Sequence, residues 1–311
     1  MFKEFVAQEV SAEWDAFTQW QTTGKWFKYH SHTVFCQIQG EGEPLVLLHG
    51  FPTCSWDWHR VWDALVQRYQ LIAIDFLGFG FSDKPVHYDY SLMDQVDMVS
   101  GFLEKMHIQR PHFLVHDYGN SVLQELLARQ LEGRLPFDIQ SACFLNGGLF
   151  PEMHQPVFMQ KLLISPVGAV VSRLINESVF VRNMEQIFSA AHLPDQQLLK
   201  EWWQSVQYNN GRAVMHRLIQ YMEERRCHRN RWVHGLCEQS RNPCTPLSFL
   251  CGTESPVSGY PMIHRYETLI KQPYVVPMRG VGHYPHVEVP EQMVEAYFQF
   301  REWAGAGARK H

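Results

Sequence analysis

Four short stretches of this chain hold an unbroken apolar run of three or more residues. They are Pro44–His49 (PLVLLH), Gln70–Asp75 (QLIAID), His112–Val115 (HFLV) and Ile139–Asn146. A strand with one wet face alternates apolar and polar residues; one that does not alternate is covered on both faces. Helix-like segments stand between these runs: Trp58–Arg68, Ser91–Met106 and Ser121–Leu131. The last carries an apolar stripe at Val122, Leu123, Leu126, Leu127 and Leu131. Ser91 is placed to cap its helix, with Asp94 in the first turn. The alternation resumes with strands at Pro246–Gly252 and Tyr274–Arg279 and helices at Pro261–Lys271 and Pro290–Trp303. Strand–helix alternation of this kind predicts an α/β fold, a mostly parallel sheet with helices on both faces.

Three regions depart from the alternation. The stretch up to residue 22 is amphipathic and helix-like, and its Trp14, Phe17 and Trp20 can dock on the body. Trp26–His30 and Thr33–Gln39 flank a polar turn and predict a hairpin. Residues 150–242 are helix-like and rich in Trp, Met and Arg, with no clear strand. An insertion after a strand falls at the carboxyl edge of the sheet, where open α/β sheets bind ligands. The expected organisation is therefore a core domain from 1–149 and 243–311 with a helical cap at 150–242. The small, basic tail Ala304–His311 is expected to fray.

Composition narrows the function. With 27 Lys+Arg against 32 Asp+Glu the net charge is −5, which argues against a nucleic-acid partner. The 7 cysteines form no CxxC pair, so neither a disulfide framework nor a zinc module is expected, and a cytoplasmic location is the simpler one. No stretch reaches the ~20 apolar residues of a membrane span. The opening MFKEFVAQEV has no apolar core, so neither a signal peptide nor a membrane anchor is expected.

The chemistry concentrates in three short motifs. Val115-His116-Asp117-Tyr118-Gly119-Asn120 joins a buried strand to a helix by a very tight turn, which would hold the Asp117 side chain exposed at the sheet edge. A carboxylate there is a competent nucleophile toward carbon and yields a covalent ester. The plainer alternative is that Asp117 only caps the helix, a task open equally to Asn120 and Ser121. His49-Gly50-Phe51-Pro52 ends the first buried strand, and the backbone N–H groups of Phe51 and Tyr118 together would form an oxyanion hole. Gly282-His283-Tyr284-Pro285 follows the last strand, so His283 is the expected general base, with His286 a nearby decoy. The glycine-rich DFLGFGFSD (75–83) lacks the spacing of a phosphate loop and is expected to be structural.

HGFP, DFLGFGFSDKP, HDYGNSVLQELL and GHYP, in this order, resemble the α/β-hydrolase fold in the branch that holds epoxide hydrolases and haloalkane dehalogenases, nearest to mesoderm-specific transcript-like hydrolases. The resemblance covers about residues 25–303 and implies an eight-stranded sheet, an Asp117 nucleophile, a His283 base, no cofactor and no metal. It also implies a small apolar electrophilic substrate, with water as co-substrate. The triad acid departs from the pattern: the expected Gly-x-x-Asp reads Gly252-Thr253-Glu254-Ser255. Glu254 is the first candidate for the acid, Asn146 with Ser255 as polar orienters come next, and Glu152 is a longer-range option. Haloalkane dehalogenases carry Trp after the nucleophile and Asn after HG, where this chain has Tyr118 and Phe51. Epoxide hydrolases protonate the opened oxygen with cap tyrosines, for which Tyr208 and Tyr221 are the candidates. Epoxide hydrolysis is the expected activity. Carbon–halogen hydrolysis, or a non-catalytic pocket protein that lost its acid, are the alternatives.

Overall fold

The computed structural model describes residues 15–241, 245–271 and 273–308. Its centre is one sheet of eight strands: β1 (Lys25–Tyr29), β2 (His32–Gln39), β3 (Glu43–Leu48), β4 (Tyr69–Ile74), β5 (His112–Val115), β6 (Ser141–Phe144), β7 (Leu247–Gly252) and β8 (Tyr274–Met278). The spatial order is β1-β2-β4-β3-β5-β6-β7-β8. β1 and β2 form the expected hairpin, and β2 runs antiparallel to β4. Every other pairing is parallel. Leu45–Leu48, Leu71–Ile74, Phe113–Val115 and Ala142–Phe144 are all fully buried, the physical reason their sequences do not alternate.

The helices flank the sheet on both sides. They are α1 (Ala16–Thr23), α2 (His59–Val66), α3 (Leu92–Lys105) and α4 (Tyr118–Leu131) before the insertion, and α11 (Gly259–Leu269), α12 (Pro285–Glu288) and α13 (Pro290–Ala308) after it. Ser91 caps α3 by accepting from the Asp94 N–H at 3.1 Å. Phe17 and Trp20 of α1 are buried against Trp56, with ring centroids 5.5 and 5.4 Å apart; Trp14 lies outside the described residues. The expected fraying of the tail is corrected for its first half. α13 continues to Ala308 because Ala304 is buried at its inner face.

Among the described residues from 150 to 241 the regular elements are helices, with no strand. They include α5 (Phe158–Ile164), α6 (Gly168–Leu174), α7 (Glu177–Glu185), α8 (Gln196–Gln207), α9 (Met215–Leu218) and α10 (Tyr221–Gln239). α10 differs from the others in lying along α4. Arg231 Nε and Trp232 Nε1 both donate to Glu125 Oε2 at 2.8 Å, and Arg129 Nε donates to Oε1 at 3.0 Å. Glu125 is only 2% exposed, so this is a buried charge whose acceptor sites are filled.

Candidate active site

β3 and β5 are neighbours in register, with Leu48 opposite Val115. The residues that follow them, the HGFP loop and Asp117, are thus brought together at the carboxyl edge. Asp117 adopts φ 41°, a left-handed conformation that strains a side-chain-bearing residue by about 1–3 kcal/mol. Two backbone contacts hold it: its N–H donates to Asn146 O at 2.9 Å, and its carbonyl accepts from Arg225 at 2.6 Å. Two residues on, a Cβ on Gly119 would stand 2.5 Å from the carbonyl of Leu48, so only glycine lets α4 start this close to β3. The side chain of Asp117 makes no capping bond to α4. The capping alternative is therefore set aside. Asn120 and Ser121 do not cap either: Asn120 donates to Leu145 O, and Ser121 accepts from Arg225 Nε.

The two carboxylate oxygens of Asp117 have different surroundings. Oδ1 accepts from the Phe51 N–H at 3.2 Å and from the Tyr221 hydroxyl at 3.4 Å. Oδ2 is buried and has no hydrogen-bond partner, with His283 Nε2 at 3.7 Å and Arg225 at 3.8 Å. Burial alone would raise the carboxyl pKa. The His283 imidazole and the Arg225 guanidinium outweigh it and hold Asp117 well below the usual carboxylate range. Tyr221 is pushed above the ordinary phenol range, by burial first and by Asp117 second, and so remains a proton donor. Tyr118 supplies the first backbone N–H of α4, while its side chain is packed against Phe76, Phe79 and Tyr221.

His283 is carried between β8 and α12, with its N–H bonded to Ile187 O at 2.9 Å. The partner of its other nitrogen is Ser255, whose Oγ lies 2.9 Å from Nδ1. This corrects the order of acid candidates. Glu254 is exposed, its backbone N–H spent on Val281 O, because the chain at 254–255 turns the second side chain inward and the first outward. Asn146 instead clips β6 to β7, accepting from Gly252 N at 2.7 Å and donating to Gly252 O at 3.0 Å. Glu152 pairs with Arg229 and Arg265. A hydroxyl can serve either imidazole tautomer, since it both donates and accepts, whereas a carboxylate would fix the proton on Nδ1.

A cavity opens onto Asp117 and His283. Its walls include Phe51, Leu163, Phe180, Met184, Met215 and Val257, with Gln160 and Asn183 as neutral polar groups. Such a lining suits a mostly apolar ligand. Tyr221 reaches Asp117, but the other expected cap donor does not. Tyr208 is half-buried, stacked edgewise on Phe81 at 5.5 Å beneath Lys84.

Two residues at the site carried no recognisable signal in the sequence. Arg225 is 1% exposed and ties α10 to the elbow. Glu288 accepts from the N–H groups of Ser189, Gly282 and Tyr284, fixing the loop that carries His283.

Residues 45–296 match the alpha/beta hydrolase family. The chain belongs to that family. Among its relatives, this hydrolase is similar to the mesoderm-specific transcript protein of Mus musculus, 38% identical over 300 residues that cover 92% of this chain and 88% of the other. It is 37% identical over 279 residues to the putative hydrolase LipZ of Mycobacterium tuberculosis, covering 89% of this chain and 95% of that one. Among solved structures, it shares its fold with a loop variant of a haloalkane dehalogenase from Bradyrhizobium elkanii. That match has a TM-score of 0.76 at 17% identity and covers 93% and 99% of the two chains. No described helix is long and apolar enough to cross a membrane.

Proposed function

We propose that this hydrolase opens an epoxide in two steps through an ester on Asp117. The observation that carries the reading is the asymmetry of that carboxylate. Oδ1 is held by two donors while Oδ2 is buried, unpartnered and beside His283. In the first step Oδ2 attacks a ring carbon, the C–O bond breaks, and the Tyr221 hydroxyl protonates the departing oxygen. In the second, His283 takes a proton from water, and the hydroxide adds to the carboxyl carbon of the ester. The resulting oxyanion is stabilised by the N–H groups of Phe51 and Tyr118. The intermediate collapses, the imidazolium of His283 protonates the departing diol oxygen, and the acid proton left on Asp117 passes to the Tyr221 phenolate, which restores the carboxylate. Tyr221 favours an epoxide over a halide: a phenol can return a proton to an alkoxide, whereas a leaving halide needs N–H donors that Phe51 and Tyr118 side chains lack. The substrate is a small apolar electrophile, and no cofactor or metal takes part in the reaction. The free cysteines Cys36, Cys54, Cys143 and Cys251 are buried and unpaired, which supports a reducing, cytoplasmic setting.

Ser255 on His283 supports a second reading, a pocket protein that binds or is alkylated but turns over slowly. One experiment separates the two. Limiting styrene oxide is mixed with the enzyme in heavy-oxygen water, with halide release from a chloroalkane followed in parallel. Two-step catalysis puts ordinary oxygen from Asp117 into the first diol and heavy oxygen into the enzyme. Heavy oxygen in the first diol sinks the ester mechanism. A stable adduct without diol selects the pocket protein, and halide release without diol selects the dehalogenase.

A further inference from the structure

Outside the lining of the substrate cavity, three buried side chains converge: Asp57, His286 and His116, which stands next to Asp117 in the chain. One ligand atom of each lies within 4.8 Å of the others. All three are fully buried, and each carries polar atoms without a partner: Asp57 Oδ1, His116 Nδ1 and both ring nitrogens of His286. Buried polar atoms in folded proteins are almost always satisfied, so orphans on three converging side chains call for a missing occupant.

The surroundings specify its chemistry. His116 Nε2 lies 2.9 Å from the carbonyl of His283. A carbonyl only accepts, so Nε2 carries the hydrogen and Nδ1 presents its lone pair. A histidine whose second nitrogen donates to a backbone carbonyl is the usual arrangement of a metal ligand. Asp57 is similarly braced, Oδ2 accepting from Thr53 Oγ1 at 2.5 Å and leaving Oδ1 free. The Trp202 indole and the Gly50 N–H also face Asp57 and ease its charge, but neither reaches Oδ1 in full hydrogen-bond geometry. The His286 ring is fixed by stacking on Trp58 at 4.5 Å. Gly50 leaves His116 Nδ1 uncovered, since a Cβ there would stand 2.7 Å away. No ion pair among the described residues involves Asp57.

We infer that Asp57, His116 and His286 form a binding site for a divalent ion of the zinc class. Two imidazoles and one carboxylate are a borderline donor set that suits zinc, cobalt or ferrous iron rather than magnesium or calcium. With bonds of about 2.0–2.1 Å in tetrahedral geometry, ligand atoms stand about 3.4 Å apart, so the cluster closes somewhat on binding. Binding displaces any proton on Asp57 and leaves both histidines neutral. Cysteine spacing could not reveal such a site, which is why the sequence predicts none.

The role is structural. Asp57 follows the loop that carries Phe51, His116 precedes Asp117, and His286 follows His283 by three residues. One ion would tie together the backbone segments that hold the oxyanion donor, the nucleophile and the base, whatever reaction they perform.

The test uses the full chain without a histidine tag. Elemental mass spectrometry of protein grown with zinc should find one equivalent per chain. Chelator-stripped protein should melt several degrees lower, recover with zinc, and with cobalt(II) give the visible absorption of a tetrahedral nitrogen–oxygen site. Asp57→Asn and His286→Gln should each weaken cobalt binding by ~100-fold or more. Only trace metal in the parent, with no change in melting on stripping or adding zinc, overturns the proposal and leaves the cluster to a water molecule or a shared proton. So does binding that survives both substitutions. If a variant fails to fold, the parent's stoichiometry and melting response still decide.

Discussion

Replacing Ser255 with aspartate tests how the second half of the reaction is powered. The Ser255 hydroxyl stands 2.9 Å from His283 Nδ1 and also accepts from the N–H groups of Val257 and Ser258 at 3.3 and 3.2 Å. Two backbone donors already converge where a carboxylate oxygen would sit, so part of the cost of burying that charge is met in advance. At 2.9 Å and an effective dielectric near 20, the attraction between a carboxylate and an imidazolium is about 6 kcal/mol. Desolvation of the new anion, several kcal/mol, removes most of it. A net gain of about 2 kcal/mol remains, the difference between a charged and a neutral hydrogen bond, which is roughly 30-fold in rate. The gain belongs to the step in which imidazolium forms, so ester hydrolysis in Ser255→Asp should accelerate about 30-fold while alkylation changes little. Rapid-quench single turnovers of styrene oxide, read by intact-protein mass spectrometry, resolve the rise and decay of the adduct. A folded Ser255→Asp enzyme whose adduct decays no faster than the parent's would refute the reasoning.

Tyr221→Phe should slow alkylation by roughly 10²–10³, the usual effect of losing one preorganised donor, and leave the melting temperature nearly unchanged; the adduct's rise time reports it. Glu125→Gln leaves Arg231 and Arg129 short of their shared carboxylate and should destabilise the fold by about 3 kcal/mol, visible as a lower urea midpoint. Gly119→Ala should remove activity and most soluble protein, because its Cβ meets backbone rather than a movable side chain; normal expression with activity would contradict the close approach. Burial first, then Arg301, lowers His112 to about 3, and burial, then Arg225, lowers His154 to about 4. The unfolded chain binds these protons near 6.5, so stability is intact above that pH. It should fall on acidification from 6.5 toward 4, by up to about 1.4 kcal/mol per pH unit for each group. Denaturant midpoints that do not move between pH 7 and 5 would count against it.

The strands and the elbow were legible because their causes are local. A run such as Leu45–Leu48 can only be a strand covered on both faces, and a buried strand followed at once by Asp117 and the small Gly119 leaves few conformations. The partner of His283 was harder, because neighbouring residues in a chain point opposite ways. Which of Glu254 and Ser255 turns inward depends on the bond from Glu254 N to Val281 O, made by a segment distant in sequence. Tyr208 and Tyr221 looked equivalent in the helical block. Between them Asn209 and Asn210 adopt φ of 50° and 59°, and only the second tyrosine is delivered to Asp117. Arg225 sits in a helix polar on every side, so no stripe marked its buried face; its depth follows from the packing of α10 on α4.

That packing divides the labour of the cavity's walls. α10 is fastened to α4 through Glu125 and to the elbow through Arg225, so it cannot swing aside without unmaking the geometry of Asp117. The remaining wall is assembled from short segments that meet mainly through apolar side chains such as Leu163, Phe180 and Met215. Parting these segments would admit a guest and leave Asp117, Tyr221 and Arg225 in place. Residence time and the proposed bond-making would then be governed by different residues. Trimming Leu163 or Met215 would alter how quickly product escapes, and the intrinsic rate of ester formation would stay with Asp117, Tyr221 and the two backbone donors.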